Sequence, residues 1–304
     1  MKPRRSILSV PGHQTKMHAK AAKSTADVIM LDLEDSVPLA AKAAARRQVI
    51  TALQEMDWQT KTLTVRINGL DSAFGYRDLL EVAEASGECV DAFVVPKVNH
   101  PGDIHFVSRM LDGIELARAF SNPIGIEVSI ETAAGLARVV EIAATSSRIR
   151  ALVFGIADYS ASVGARLASL SGHGETEETL YPGHRWHFAL SRIIMAAKAH
   201  GLMALDAPFG NFKDPAGLER SAAMASALGC DGKWAIHPDQ IEILNRVFSP
   251  SIEDIQRAQK VILAAEGALL QGRGAIAVEG RMVDQATVRL ARQLYAQAQH
   301  LGLV

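Results

Sequence analysis

The sequence predicts an α/β protein built from eight strand–helix units, followed by a C-terminal helical segment. The chain has 304 residues, enough for one (β/α)8 barrel of about 250 residues and an appendage of roughly 50. Short apolar runs alternate with Ala-rich helical stretches, as in βα units. The strand candidates show little polar alternation, which suits a parallel sheet that is buried on both faces. The predicted fold is therefore a TIM barrel followed by a C-terminal helical extension.

The strand candidates follow one another at intervals typical of βα units. They are residues 6–10, 27–33, 62–67, 92–95, 124–129, 151–155, 202–205 and 233–236. The interval after residue 155 is longer, because it holds an insertion loop at 169–185 before a helix at 186–199. An open sheet has the same strand count and stays the alternative.

The tail exceeds what a barrel needs. We expect a helix at 251–271, a hinge at Gly272–Gly274, a β-like stretch at 275–278, and a last helix at 284–300. The predicted division is a catalytic barrel at 1–250 and a lid or oligomerisation segment at 251–304.

Composition excludes several classes of partner and location. The net charge is −1 and the sequence pI is about 6.8, so no bulk field attracts nucleic acid or anionic lipid. No apolar run is long enough to span a bilayer, and the apolar run near the amino terminus is too short for a secretory signal. The two cysteines, Cys89 and Cys230, form no CxxC pair. We expect a cytoplasmic protein without nucleic-acid or membrane partners.

Polar residues end nearly every strand candidate, which predicts a pocket at the carboxyl end of the barrel. Carboxylates expected around this mouth are Asp32, Glu34, Asp35, Glu127, Glu131 and Asp158. Carboxylates this close to one another favour a hard cation between them, either Mg²⁺ or Mn²⁺. Some of these acids are also expected to pair with Arg66 or Lys97, Glu127 in particular.

Arg66 and the basic residues near the amino terminus each allow two interpretations. Arg66 at a strand end presents a planar fork for a carboxylate or carbonyl oxygen, or makes a structural salt bridge to Asp32 or Glu34. A row of Lys16, Lys20 and Lys23, with Arg4 and Arg5, forms either a solvated helix face or a polyphosphate clamp. The pair His184 and His187 is a candidate for metal binding.

Eight segments together resemble the HpcH/HpaI aldolase–citrate lyase family, most of all its malyl-CoA lyases. They are RSILSVPG, DVIMLDLEDSV, VRINGLD, PKV, IEVSIETAAG, FGIADY, DAPFGNF and GKWAIHPDQI, and the resemblance covers residues 4 to about 300. It implies a TIM barrel with a C-terminal lid. It also implies a Mg²⁺-dependent lyase that cleaves a 3-hydroxyacyl-CoA such as malyl-CoA into acetyl-CoA and glyoxylate, or forms it by condensation.

The resemblance also implies roles for individual residues. Glu131 and Asp158 would hold the metal, Arg66 would stabilise a substrate oxygen, and Asp284 in GRMVD would move a proton in a neighbouring subunit. The residues implied to contact CoA or substrate are Arg5, Ser9, Lys20, Ala157, Asp158, Asp206, Ala207 and Pro208. Asp32, Glu34 and Asp35 would surround the metal ligands. The shared site implies a homo-oligomer, a trimer or hexamer.

Three departures leave the acyl group open. Ala207 and Asn211 stand where Gly and Asp are expected, Gln14 stands where an Arg would help to bind a CoA phosphate, and the segment between Asp158 and Trp186 is short. The alternatives are a citramalyl-CoA, β-methylmalyl-CoA or citryl-CoA lyase and a malyl-CoA thioesterase. A CoA-independent aldolase acting on pyruvate and a non-catalytic or carrier-protein-dependent subunit of a lyase complex are further alternatives.

Overall fold

In a computed structural model of the chain, the predicted strands close into one parallel eight-stranded barrel, so the open-sheet alternative is wrong. The structure describes residues 2–167, 169–172, 174–175, 184–270, 276–278 and 280–304. The strands are β1 (Ser6–Pro11), β2 (Val28–Asp32), β3 (Thr62–Arg66), β4 (Ala92–Val95), β5 (Gly125–Ile130), β6 (Ile149–Phe154), β7 (Met203–Asp206) and β8 (Gly232–Ala235). Each pairs with its sequence neighbours, and β8 closes the barrel on β1.

Helices follow the strands as the sequence predicts. They are α1 (Thr15–Ala22), α2 (Lys42–Glu55), α3 (Gly75–Ser86), α4 (Pro101–Arg118), α5 (Ala133–Ala137), α6 (Val139–Ala143), α7 (Ile156–Ser162), α8 (His187–Ala199), α9 (Pro215–Leu228) and α10 (Ile241–Val247). Short 3-10 turns lie at Leu39–Ala41, Gly87–Cys89 and Pro238–Gln240. Local sequence explains several starts: Asp214 caps α9 just before Pro215, and His100 with Asp103 forms a capping box before α4.

Alternation along the strands decides which side chains reach the barrel interior. The interior cluster contains Ile7, Val28, Met30, Val94, Ala151, Val153, Leu205 and Trp234. Because side chains two residues apart share a face, Asp32 follows Met30 on the inner face of β2. The inner face of β2 therefore ends in a carboxylate at the carboxyl end of the barrel, where a pocket is expected.

The chain divides into two compact units, Lys2–Asn245 and Arg246–Val304. The C-terminal unit contains α11 (Ile252–Leu270), a two-stranded antiparallel hairpin of β9 (Ile276–Val278) and β10 (Arg281–Val283), and α12 (Gln285–His300). Its small core joins Ala258 and Val261 of α11 to Val288 and Ala291 of α12. The predicted hinge at 272–274 lies outside the described residues, and the role of this unit as a lid stays a prediction.

No membrane-spanning element is present among the described helices. Each of them is too short or too polar to cross a bilayer.

Candidate active site

A pocket of about 300 Å³ opens at the carboxyl ends of the barrel strands. Its wall includes Ser9, Arg66, Glu131, Asp158, Pro208 and Trp234. Since these residues lie in or just after six different strands, the closed barrel brings them together from distant parts of the chain. The pocket lies where βα-barrel enzymes carry their chemistry.

Arg66 lies at the centre of an ion-pair network under the pocket. Its Nε and Nη2 donate to the two carboxylate oxygens of Asp32 at 2.6 and 2.7 Å, and its Nη1 lies 3.0 Å from Glu34 Oε2. The guanidinium also lies 5.5 Å from the ring centroid of Trp234. Both structural salt bridges considered for Arg66 are thus present, and they fix the orientation of a side chain that still lines the pocket.

The acids beside Arg66 differ in their electrostatics. Burial raises the pKa of Asp32, but the adjacent Arg66 outweighs that effect and leaves the pKa below its usual value. Burial dominates at Glu34, and the pKa of this carboxyl is raised. Asp32 is therefore a firmly ionised anchor, whereas Glu34 depends on the cations on both sides of it.

Glu131 is held in the pocket by backbone rather than by a cation. Its Oε1 accepts the Lys97 backbone N–H at 2.5 Å. Burial, followed by the charge of Glu34, raises the pKa of Glu131 to about 8. Gly155 packs so closely against Glu131 that an added Cβ would overlap the carboxylate, so this position requires glycine.

Asp158 lines the same pocket as Glu131 and lies in the first turn of α7. Its side chain is 40% exposed, and its Oδ1 lies 3.8 Å from Lys97 Nζ. The same ammonium donates to Glu34 Oε1 at 2.8 Å. Lys97 therefore connects the two predicted metal ligands with the Arg66 network.

The donor chemistry fits a magnesium-type site. Glu131 and Asp158 line one pocket, and Glu131 is a buried carboxylate that a divalent cation would stabilise. Within the described ranges no group of three or more His, Cys, Asp or Glu side chains could hold a metal. Such a site would therefore use two protein carboxylates and complete its shell with water and substrate oxygens, as Mg²⁺ typically does.

Several predicted contacts are brought together as expected. Ser9, Ala157, Asp158 and Pro208 line the pocket, and Asp35 lies at its rim. Lys20 is exposed in the last turn of α1 and is not part of the described pocket wall, so its CoA contact stays a prediction.

Arg5 is a correction. It precedes β1 at the amino end of the barrel, opposite the pocket, and its Nε and Nη2 donate to Asp27 at 2.8 and 2.7 Å. Arg4 is buried against Glu127 at the same end of β1. Neither arginine can belong to a phosphate clamp at the mouth, so the structure contradicts the CoA contact predicted for Arg5.

One further expectation needs correction, and two others stay predictions. Asp206 faces away from the interior side of β7, and its Oδ2 accepts from Lys233 Nζ at 2.5 Å. The described wall of the pocket contains Pro208 but neither Asp206 nor Ala207, and the CoA contacts predicted for these two residues stay predictions. Glu127 was expected at the mouth beside Arg66 or Lys97; it lies deeper in β5 and pairs with Arg4.

Three residues that do not line the pocket keep open roles. Asp284 caps α12, where its Oδ1 accepts from the Thr287 backbone N–H at 2.9 Å. The hydrogen bonds from Thr287 hold the pKa of Asp284 below its usual value. The capping role is thus present, and a role in a neighbouring subunit stays a prediction. His184 is buried and His187 is exposed, and neither belongs to a group of three or more possible metal ligands within the described chain.

Sequence reasoning missed two parts of the site: Trp234 forms the wall beneath Arg66, and Gly155 makes room for Glu131. Lys97 directly after β4 was among the polar strand ends that predict the pocket, but its contacts with both predicted metal ligands were not foreseen. Its left-handed backbone, with φ of 52°, had no sequence signal.

An eight-stranded βα barrel with an arginine and paired carboxylates at its carboxyl end is an enzyme-type site. The family model for HpcH/HpaI aldolase/citrate lyase matches residues 5–238. The chain belongs to this family.

Named relatives agree with this membership. An L-malyl-CoA/beta-methylmalyl-CoA lyase of Cereibacter sphaeroides is 40% identical, covering 99% of this chain and 96% of the relative. A citrate lyase subunit beta of Leuconostoc mesenteroides is 36% identical, covering 98% and 95%. A solved structure of CitE from Mycobacterium tuberculosis with magnesium, acetoacetate and coenzyme A is 29% identical, with a TM-score of 0.77 and 97% coverage of both chains.

Proposed function

We propose that the protein is a Mg²⁺-dependent carbon–carbon lyase that cleaves a 3-hydroxyacyl-CoA, with malyl-CoA giving acetyl-CoA and glyoxylate as the first candidate. One observation carries the proposal: Glu131, Asp158 and Arg66 line the same pocket. The relatives named as malyl-CoA lyases and the CitE structure with magnesium and coenzyme A support the substrate class. Mn²⁺ is expected to substitute for Mg²⁺, since both prefer oxygen ligands.

The chemistry follows from the charges in the pocket. In the cleavage direction the substrate hydroxyl loses its proton, the carbon–carbon bond breaks, and its electrons move onto the thioester as an enolate. Arg66 is held by Asp32 and Glu34 and retains N–H groups that can stabilise the developing oxygen charge. A divalent cation on Glu131 and Asp158 would orient and polarise the oxygens of the 2-oxo acid.

Asp284 of a neighbouring subunit is proposed to carry the proton at the thioester α-carbon. The C-terminal unit that presents Asp284 would then exclude water from the enolate. This part of the proposal requires a homo-oligomer, a trimer or hexamer. We place the enzyme in the cytoplasm, where its two free cysteines would stay reduced.

Subunit mixing tests the shared site. Asp284→Asn and Glu131→Gln are each expected to be inactive alone, and mixed oligomers are expected to regain activity because some interfaces then hold a complete site. Native mass spectrometry would verify that mixed oligomers form. Mixed oligomers that form and stay inactive would restrict Asp284 to its capping role.

A panel of CoA thioesters tests the reaction. The purified protein with Mg²⁺ would be given malyl-, β-methylmalyl-, citramalyl- and citryl-CoA, while glyoxylate, pyruvate, oxaloacetate and free CoA are measured. Release of a 2-oxo acid together with an acyl-CoA supports a lyase, whereas free CoA with no 2-oxo acid identifies a thioesterase. Glu131→Gln and Asp158→Asn should lower turnover by orders of magnitude and should weaken metal binding. Near-normal turnover in either variant would contradict the metal assignment.

The similarity to a citrate lyase subunit beta favours one second candidate, a lyase subunit whose acyl group arrives on a carrier protein. That candidate predicts no turnover of free thioesters. Exposed Lys20 provides a related test, because a phosphate contact far from the reacting carbon should affect KM more than kcat. Lys20→Ala is expected to raise KM for the thioester several-fold, and Lys198→Ala, which removes an ammonium paired with Asp231 at the amino end of the barrel, serves as the control.

A further inference from the structure

Lys97 is the residue through which the two proposed metal ligands and the Arg66 network meet. Its ammonium donates to Glu34 Oε1 at 2.8 Å and lies 3.6 Å from Asp35 Oδ1 and 3.8 Å from Asp158 Oδ1. Three carboxylates therefore surround one positive charge that is one-third exposed. A divalent cation held partly by Asp158 would have to share this space with the ammonium.

The backbone of Lys97 makes a separate contact with the site. Its N–H donates to Glu131 Oε1, and its φ of 52° lies in the left-handed region that few residues other than glycine adopt. The next residue, Val98, returns to β5 by donating its N–H to Ser129 O at 3.4 Å. The unusual backbone thus directs the Lys97 N–H towards Glu131 while the chain continues along the barrel.

We propose that Lys97 is a two-part positioning residue for the metal site: its backbone N–H orients Glu131, and its ammonium serves as an internal cation that neutralises the acidic mouth and competes with the divalent ion. The inference rests on the proposed metal site. The competition follows from electrostatics, because a positive charge about 4 Å from a ligand oxygen opposes a second cation at that oxygen. A merely structural lysine would leave metal affinity unchanged or would support it.

Direct metal binding, without substrate or turnover, tests the side-chain part. Mn²⁺ would be titrated into the purified metal-free protein and followed by electron paramagnetic resonance and calorimetry. Lys97→Met keeps the length of the side chain and removes the charge, so we expect Mn²⁺ to bind about tenfold more tightly. Lys97→Arg keeps the charge and should bind Mn²⁺ as the parent protein does. Lys198→Met removes a lysine that pairs with Asp231 and is the matched control.

The backbone part is tested by comparing neutral variants. Lys97→Gly tolerates the left-handed backbone and should match Lys97→Met in Mn²⁺ affinity. Lys97→Val places a β-branched residue where φ is positive, so it should misplace the N–H and bind Mn²⁺ about tenfold more weakly than Lys97→Met. Equal affinity of the valine and methionine variants would overturn this part.

Parent protein that binds Mn²⁺ together with a Lys97→Met variant that binds equally or more weakly would overturn the competition. If the parent protein and the Lys198→Met control bind no Mn²⁺ at all, the proposed metal site itself is wrong and the inference falls with it. Circular dichroism would confirm that each variant folds before its affinity is compared.

Discussion

Two buried arginine–carboxylate pairs lie in the same barrel and differ in their hydrogen bonding, in their links to other charges and in their access to solvent. Arg66 binds Asp32 through two hydrogen bonds, continues through Glu34, and ends at the pocket. The pair of Arg4 with Glu127 is enclosed, with side chains 6% and 0% exposed, and neither oxygen of Glu127 makes a hydrogen bond within the described chain. The Arg66 pair is linked to further charges and lines the pocket, which suits a role in chemistry, whereas the enclosed Arg4 pair suits a role in the fold.

The pKa values of the two arginines follow the same division. Burial lowers the pKa of Arg66, but Asp32 and Glu34 outweigh it and raise the pKa above its usual value. At Arg4 burial dominates and lowers the pKa to about 10. The acids at the mouth therefore stabilise the protonated form of Arg66. A site that stabilises an oxyanion needs such a fixed positive charge.

The largest effect on turnover is expected at Arg66. Arg66→Lys keeps the charge but loses the planar fork that binds both oxygens of Asp32, so kcat should fall about 10²-fold or more. Arg46→Lys is the control, because Arg46 is equally buried and pairs with Asp78 and Glu81 behind the barrel wall. Steady-state assays of both variants decide the matter. A small change in kcat for Arg66→Lys would reduce Arg66 to a structural role.

Gly155→Ala tests how tightly the mouth is built. The added methyl group would overlap Glu131, so the carboxylate must move and both metal affinity and turnover should fall by about tenfold or more. Gly113→Ala in α4 adds a methyl group with no atom within 4 Å and should leave both quantities unchanged. Unchanged Mg²⁺ affinity in Gly155→Ala would show that Glu131 is not a ligand in this orientation.

The next largest effect is expected in the pH dependence of metal affinity. Because the pKa of Glu131 is raised to about 8, the folded metal-free protein carries a proton there at neutral pH, and metal binding must release it. Affinity should fall about tenfold for each pH unit below 8. The folded state binds more protons than the unfolded state, so this group makes the free energy of unfolding decrease as pH rises towards 8. Glu131→Gln should remove that slope, and metal affinity that is flat between pH 6 and 8 would contradict the assignment.

The barrel could be predicted because it follows from local patterns. Apolar runs of strand length recur with helical stretches between them, and all eight strands form within about two residues of their expected bounds. Polar strand ends also predict the pocket, since parallel strands end at one edge.

The strand face on which a side chain lies, and its partners from distant parts of the chain, could not be predicted. A shift of one residue moves a side chain to the other face of a strand, and this is why Asp206 pairs with Lys233 outside the barrel interior. The partner of Glu127 is Arg4, more than a hundred residues away in the chain. Sequence spacing carries no information about such a contact, because only closure of the barrel creates it.

Changes to the enclosed pair of Arg4 and Glu127 are expected to have the smallest effect on turnover and a large effect on stability. Arg4→Met would leave Glu127 charged and enclosed without a cation, at a cost of about 3–5 kcal/mol in the free energy of unfolding. Replacing both members, Arg4→Met with Glu127→Gln, should recover most of that loss because no unpaired charge remains. Below the unfolding temperature, kcat and KM of the double variant should match those of the parent protein. Denaturant unfolding and steady-state kinetics measure the two quantities separately. A stable double variant with strongly reduced kcat would show that the enclosed pair also serves the pocket, and the division between the two pairs would be wrong.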